Sequence, residues 1–395
     1  MSLAAEQDVR AEQTEAEYQV VQYTPDLRAA VLDLSRHIWG PDLVRNAAYL
    51  DWKYIENPNL RHDSPLIFLA LHGEAVVGMR GVHALRVEAE GEEGLTLACF
   101  GDSVIDPQHR KRGLLSLVSD RGVTAAKDLG YPYLLGISNV PSTYFHLLKN
   151  GWTQAVSYDL LHRYAGRRRL IVQCYRLARP VPVVTKLAGA LRRSIRRPKP
   201  AASAEDPDPF AILDRNAASD RGRISLEQAA RPAAMADLVR RLGSDGRLRQ
   251  VRDVDYLAWR YRNPLARYRF LYCGGDRLDG YLVVQARRFG SFGVVNLVDW
   301  EASSQEIRAS LLRSLLKWGQ FELLRIWAAN LPVETHSLLK SERFGPYHAH
   351  HSGNPYRPGL LVRALQEGRQ DWSVGRRQVL NADDWDLRMI YSDGF

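Results

Sequence analysis

Cysteine is scarce in this chain: there are three, Cys99, Cys174 and Cys273, far apart in 395 residues. An odd, scattered set implies neither a disulfide framework nor a thiolate metal site, and it fits a reducing compartment. No apolar run reaches the about eighteen residues that a membrane span needs. The N-terminus, MSLAAEQDVRAEQTEAE, lacks the basic start and apolar stretch of a signal peptide and reads as a frayed tail over 1–17. A cytoplasmic location is the expectation. Acid is missing from one whole stretch. Residues 161–204 hold no Asp or Glu, but Arg167, Arg168, Arg169, Arg176, Arg179, Lys186, Arg192, Arg193, Arg196, Arg197 and Lys199 fall within it.

What is present is globular: 45% of residues are hydrophobic and 25% charged, and the length suits two or three domains. The net charge of +9 favours acidic partners such as phosphorylated cofactors, anionic lipid or nucleic acid. Within the acid-free stretch, Val183, Val184, Leu187, Ala190, Leu191 and Ile195 recur at helical spacing. Residues 180–197 could rest weakly on an anionic membrane. The preferred reading is an interdomain helix whose apolar stripe packs on the body. PKPAASAEDPDP, 198–209, is a linker by composition.

The most informative stretch is 100–115, FGDSVIDPQHRKRGLL. An apolar strand over 97–105 is closed by Pro107, which cannot donate to a sheet ladder. Arg110, Lys111, Arg112 and Gly113 follow, then an amphipathic run over 114–129. The reading is strand, basic loop, helix. A helix start offers free N–H groups and the positive end of a dipole, a seat for phosphate. Gly113 lets the backbone approach an anion closely, and the cations reinforce the site.

The pattern P-x-x-R-x-x-G-x-L resembles the pyrophosphate loop of the GNAT acyltransferases, the acetyl-CoA-dependent N-acetyltransferase superfamily, with its signature Q/R-x-x-G-x-G/A. Arg110 and Gly113 take the first two places, and Leu115 stands where Gly or Ala is usual. The element order around it is similar too. A strand over 18–23 precedes a helix over 27–38. Strands follow over 66–71, 75–82, 84–90 and 95–105, then the helix, then a strand over 133–137. The segment NVPSTYFHLLKNGW resembles that fold's N-x-x-S…K-x-G-F/W segment. The resemblance implies an α+β fold of mixed, mostly antiparallel sheet flanked by helices.

The chain then repeats itself. Tyr256-Leu-Ala-Trp-Arg-Tyr-Arg-Asn-Pro echoes Tyr49-Leu-Asp-Trp-Lys-Tyr-Ile-Glu-Asn-Pro, and Asn330-Leu-Pro with Leu338-Leu-Lys echoes Asn139-Val-Pro with Leu147-Leu-Lys. Two landmarks in one order argue for duplication. The expected organisation is a tail over 1–17, a first GNAT domain over 18–165, a basic connector and linker over 166–221, a degenerate second domain over 222–368, and a tail over 369–395. The second copy reads Glu301-Ala-Ser-Ser-Gln-Glu where the basic loop should be, and its glutamates would repel phosphate.

The resemblance implies acetyl-CoA as donor substrate and no metal. A backbone N–H of the loop-bearing strand, from Val104 or Ile105, would meet the thioester oxygen. Arg110, Lys111, Arg112, Gly113, Leu114 and Leu115 would hold the pyrophosphate, with Asn139 and Ser142 beside the pantetheine arm. Transfer to an amine needs a base, and Asp102, an acid within the active strand, is the candidate, against a reading in which it faces solvent or pairs with a cation. The tyrosine acid of many members, counted four residues before Gly151, is replaced by Leu147. Tyr144, one turn earlier, is the substitute, with His146 behind it. The repeated aromatics Tyr49, Trp52, Tyr54, Tyr256, Trp259 and Tyr261 are read as core, since both copies have them. His348, His350 and His351 sit in a loop without adjacent acid and are not read as a metal site. The expected activity is acetyl transfer to a primary amine of a small acceptor, an amino sugar or amino acid derivative, with no nucleic-acid partner. The rivals are a peptidoglycan-type aminoacyltransferase using aminoacyl-tRNA and a non-catalytic acyl-CoA-binding protein.

Overall fold

The computed structural model describes residues 17–89, 94–138, 140–164, 208–220, 222–287, 294–346, 358–366 and 372–392. The N-terminal tail, most of the connector with its 180–197 segment, Asn139, His348, His350, His351 and the final three residues lie outside them.

The first half opens with β1 (Gln19–Gln22), then α1 (Arg28–Trp39) and α2 (Leu43–Tyr54). Helix α2 starts where the Asp42 side chain accepts the Arg45 N–H at 3.0 Å, satisfying one of the free first-turn donors. Strands β2 (Leu66–His72), β3 (Ala75–Glu88) and β4 (Leu95–Ile105) follow. The sequence reading split 75–90 into two strands; the structure has one. Its first part pairs with β2 and nearly its full length pairs with β4, so nothing interrupts the ladder at His83. Helix α3 (Leu114–Asp128), β5 (Tyr133–Ser138), α4 (Pro141–Lys149) and β6 (Thr153–Ser157) complete this half. Next comes β7 (Leu160–Tyr164).

The second half runs α5 (Ala211–Ala218), β8 (Ile224–Glu227), α6 (Pro232–Leu242), β9 (Arg249–Gln250), α7 (Val254–Arg260), β10 (Ala266–Gly274), β11 (Leu278–Arg287) and β12 (Val294–Ala302). It continues through α8 (Gln305–Trp318), β13 (Leu323–Trp327), α9 (Val333–Ser341), β14 (Gly345–Pro346) and β15 (Gly359–Ala364). A small hairpin, β16 (Ser373–Val374) and β17 (Arg377–Gln378), leads into the C-terminal segment.

Two mixed sheets result. The first has the order β1-β2-β3-β4-β5-β15-β6 with β9 on the end of β3, and the second β14-β7-β13-β12-β11-β10-β8. In each the central pair, β4 with β5 and β12 with β13, is parallel and the other pairings are antiparallel. The sheets depart from the expected division at 165 and 222–368 by one strand each. Strand β7 belongs to the second sheet, and β15 inserts between β5 and β6 of the first. Each half thus closes the other's sheet. At the crossing, Tyr158 stacks on Trp327 with ring centres 4.1 Å apart.

The repeated aromatic motif explains how the halves meet. Trp52 of α2 and Trp259 of α7 stack at 4.6 Å and 7°. Each indole N–H donates to the other's backbone carbonyl, at 2.7 and 2.6 Å. This reciprocity marks a local two-fold axis between the copies. One apolar cluster runs through it, from Val31, Leu69 and Met79 to Met235, Leu257 and Tyr281. A second face of the first sheet, with Phe68, Val82 and Phe100, packs under α3 through Leu114 and Val118. Strand β2 is apolar along most of its length because both of its faces are covered.

Candidate active site

Strands β4 and β5 run together only briefly. Their pairs are Ala98 with Leu134, Cys99 with Leu135 and Phe100 with Gly136. Beyond Phe100, β4 continues along β3 to Ile105 while β5 diverges, so a gap opens in the middle of the sheet. The Asp106 N–H donates to Val77 of β3. Alternation then turns the Val104 amide toward β3 and those of Ser103 and Ile105 toward the gap. Of the two amides named from sequence, Ile105 faces the gap and Val104 does not.

An irregularity in the β3–β4 ladder, between Arg80 and Val82, aims Asp102 out of register. Both glycines beside it are required. A Cβ on Gly81 would stand 2.1 Å from the Tyr54 hydroxyl, and one on Gly101 2.6 Å from it. Tyr54 therefore reaches the sheet and donates to Asp102 Oδ2 at 2.8 Å, while its oxygen accepts the Asp102 N–H at 3.2 Å. Lys53 Nζ lies 2.9 Å from the same Oδ2 and 3.3 Å from the Tyr49 hydroxyl, with its side chain 2% exposed. A buried ammonium needs such a partner. Asp102 is thus held by a cation, while its side chain keeps 15% exposure. Sequence reading passed over Lys53 and assigned Tyr54 to the core. The signal was there in the unequal copies, Lys53 against Arg260 within otherwise matched aromatics.

After β4 a short turn, Pro107–His109, leads to the basic loop. Lys111 (φ 66°) and Gly113 (φ 83°) are left-handed. That conformation is free for glycine but strained for lysine, and such strain concentrates at binding sites. Gly113 is the N-cap of α3 and brings no side-chain acceptor. The amides of Leu114 and Leu115 have no partner within the helix by construction. Arg110 Nε donates to the Ile105 carbonyl at 3.1 Å, tying loop to strand. Arg112 bonds Glu17 at 2.8 Å and the Tyr18 hydroxyl at 3.1 Å. Arg110, Lys111 and Arg112 are exposed while Leu114 is buried, so the cations face outward at an uncapped helix start.

Tyr144 is buried on α4, and its hydroxyl donates to Gln154 Oε1 of β6 at 2.7 Å. Ser142 is exposed in the first turn of α4. Leu147 packs against Gly136, where a Cβ would lie 3.0 Å from it. Burial, then the charges of Arg80 and Lys149, lower the His146 pKa below the ordinary imidazole value. Among the described residues, no group of three or more His, Cys, Asp or Glu is arranged to hold a metal, and no helix is long and apolar enough to cross a membrane.

The same location in the second half is filled. Asp299 stands two residues past the last regular pair before the β11–β12 irregularity, as Asp102 does in β3–β4. It accepts from Tyr281 OH at 2.7 Å and Arg252 Nη1 at 2.9 Å, with both members of the ion pair fully buried. Arg388 of the C-terminal segment reaches Glu301 at 2.7 Å. The carbonyls of Ile390 and Ser392 accept from Arg260 at 2.8 and 2.9 Å. The start of α8 is capped by its own Ser304, which accepts the Ile307 N–H, with Glu306 in the first turn.

No family model matches the chain, and no curated protein is found to match it. Solved structures do. A GCN5-related N-acetyltransferase from Anabaena variabilis is similar with a TM-score of 0.53 and 12% identity, over 88% of this chain and 73% of that one. A GCN5-related N-acetyltransferase from Kribbella flavida gives 0.50 and 13%, over 88% and 72%. A tandem GNAT protein from the clavulanic acid biosynthesis pathway gives 0.50 and 13%, over 89% and 99%. The fold is therefore that of a tandem GNAT protein: two mixed sheets flanked by helices.

Proposed function

We propose that the chain is an N-acetyltransferase that moves an acetyl group from acetyl-CoA to a primary amine of a small acceptor, an amino sugar or amino acid derivative, by direct attack on the thioester. The observation that carries this reading is the join of two features in the first half. An uncapped helix start with three exposed cations adjoins a gap in the sheet, and a partly exposed carboxylate stands beside that gap.

In this reading the pyrophosphate of the donor takes the amides of Leu114 and Leu115 and the charges of Arg110 and Lys111. The arm enters the gap between β4 and β5, and the thioester oxygen meets the Ile105 amide. The amine attacks the carbonyl carbon, and Asp102, directly or through a water, takes the proton it sheds. Lys53 and Tyr54 hold Asp102 in place on Oδ2 and leave Oδ1 to act. Holding donor and amine in line supplies much of the rate.

The test is an acyl-transfer screen with the full chain, acetyl-CoA and a panel of primary amines, read by free thiol release and product mass. Acetylated amine supports the reading. Tight coenzyme A binding without transfer to any amine would favour a non-catalytic acyl-CoA-binding protein instead.

A further inference from the structure

Arg80 lies in the middle of β3 and is 1% exposed. Its guanidinium carbon sits 3.8 Å from the centre of the Phe100 ring. Among the described residues no carboxylate pairs with it and no hydrogen bond engages it; its Nε is sealed from water with no partner. An arginine buried this way is costly, because the ring face compensates only part of the lost hydration. Other deeply buried arginines of the chain are engaged: Arg252 by Asp299 and Glu301, Arg269 by Asp214, Arg260 by carbonyls and a hydroxyl. Burial pulls the Arg80 pKa down to about 10, which still leaves the group charged near neutrality.

Its position tells what it waits for. Arg80 pairs with Phe68 across β2 and β3, on the face that α3 covers, so it shares a face with the phosphate seat. Phe100, under its guanidinium, is the last β4 residue paired to β5, so Arg80 stands at the apex of the gap. Its charge is felt at Tyr54, Cys99 and Asp102 on one side and at His146 on the other. An acyl donor that runs from the start of α3 into the gap ends beside it. Among the described residues of α4, Leu147 is apolar where the resemblance expects a proton donor, the Tyr144 hydroxyl is directed to Gln154, and burial with the Arg80 charge disfavours a protonated His146.

We propose that Arg80 takes up the negative charge of the thiolate that leaves when the acyl group is transferred, in place of a proton donor on α4. The inference rests on the acetyl-CoA reading above. As the amine nitrogen forms its bond to the carbonyl carbon, the C–S bond breaks and its electron pair stays on sulfur. The nitrogen's proton goes to Asp102 or water, and the thiolate remains unprotonated against the guanidinium. A cysteine thiol has a pKa of about 8.5 and the alkyl thiol of coenzyme A is less acidic still, so at neutral pH a fixed cation is what makes the thiolate a sufficient leaving group.

The experiment is an ultraviolet titration of the thiolate in the complex of the full chain with coenzyme A, after calorimetry has shown the complex to form. The bound thiol should titrate at least about one pH unit, tenfold in its acid constant, below the free thiol. Arg80→Met should return it to the free value and lower kcat at least about tenfold, while KM for acetyl-CoA changes much less. Arg80→Lys should retain most of the shift, and it decides the matter should Arg80→Met not fold. A wild-type complex whose thiol titrates at its free value, or a shift that survives in Arg80→Met, overturns the proposal and leaves the acetyl-CoA reading standing. Absence of coenzyme A binding overturns both.

Discussion

Asp102 and Asp299 occupy equivalent places in β4 and β12, and the two halves use them differently. Asp102 meets a lysine and a tyrosine and stays partly exposed. Asp299 is fully buried among Tyr281, Arg252 and Arg388, and the C-terminal segment closes over it. The same contrast holds one turn further on, where α3 begins at an exposed glycine among cations and α8 at a serine that caps its own helix. A duplicated fold has kept the sheet in both copies. The first copy keeps an uncapped helix start and a partly exposed carboxylate, and the second is filled from within by carboxylates, arginines and a tail. The halves also exchange strands: the first lends β7 to the second sheet, the second lends β15 to the first, and Trp259 meets Trp52 at the shared axis.

The largest effect should come from removing the two carboxylates in turn. Asp299→Asn leaves Arg252 in a dry interior with a weakened partner and should cost stability on the order of the 3–5 kcal/mol lost when a buried pair is broken. Asp102→Asn takes the anionic partner from buried Lys53 and should also lower stability, yet leave a chain that folds and binds coenzyme A, with turnover lowered by roughly a hundredfold or more, as for lost general-base catalysis. Thermal melts and steady-state rates on both variants check this. A stable Asp299→Asn, or an Asp102→Asn of normal rate, would erase the contrast.

Next in size are the helix starts. Arg110→Ala should weaken coenzyme A binding by about tenfold or more, since a charged hydrogen bond to phosphate contributes on the order of 1.5–3 kcal/mol. Gly113→Val should abolish binding, because valine is strained at φ 83° and its branch would crowd the seat. Glu306→Ala at the start of α8 should change nothing in the same calorimetric titration.

Near neutral pH the smallest effect is one of protonation, and it grows only as acid is added. His162 of β7 is buried in the second sheet, and desolvation with the Arg325 charge lowers its pKa to about 3. Below the ordinary imidazole value the unfolded chain takes a proton that the folded chain refuses. Stability is therefore lost as pH falls from about 6.5 toward 3, at a slope of at most about 1.4 kcal/mol per pH unit. His162→Phe should flatten that slope in acid melts, and an unchanged slope would assign the acid sensitivity elsewhere.

Much of this was legible in the residues. The basic loop, its glycine and the helix after it could be read because local chemistry dictates them, and the repeat could be read because Trp52 and Trp259 recur within matched neighbours. The exchange of β7 and β15 was not, since strands so short carry no mark of which sheet they join. Lys53 and Tyr54 were not assigned to the site because only the long-range approach of α2 to the β4 irregularity brings them to Asp102. Arg80 carries no motif in the sequence; that it is buried with no ion-pair partner among the described residues shows only in three dimensions.

The central claim, one open copy and one filled copy, is tested most directly by calorimetric titration of the full chain with acetyl-CoA. The account predicts saturation near one equivalent per chain, with that single event lost or severely weakened in Arg110→Ala. Two equivalents, or one equivalent unaffected by the Arg110 change, would contradict it.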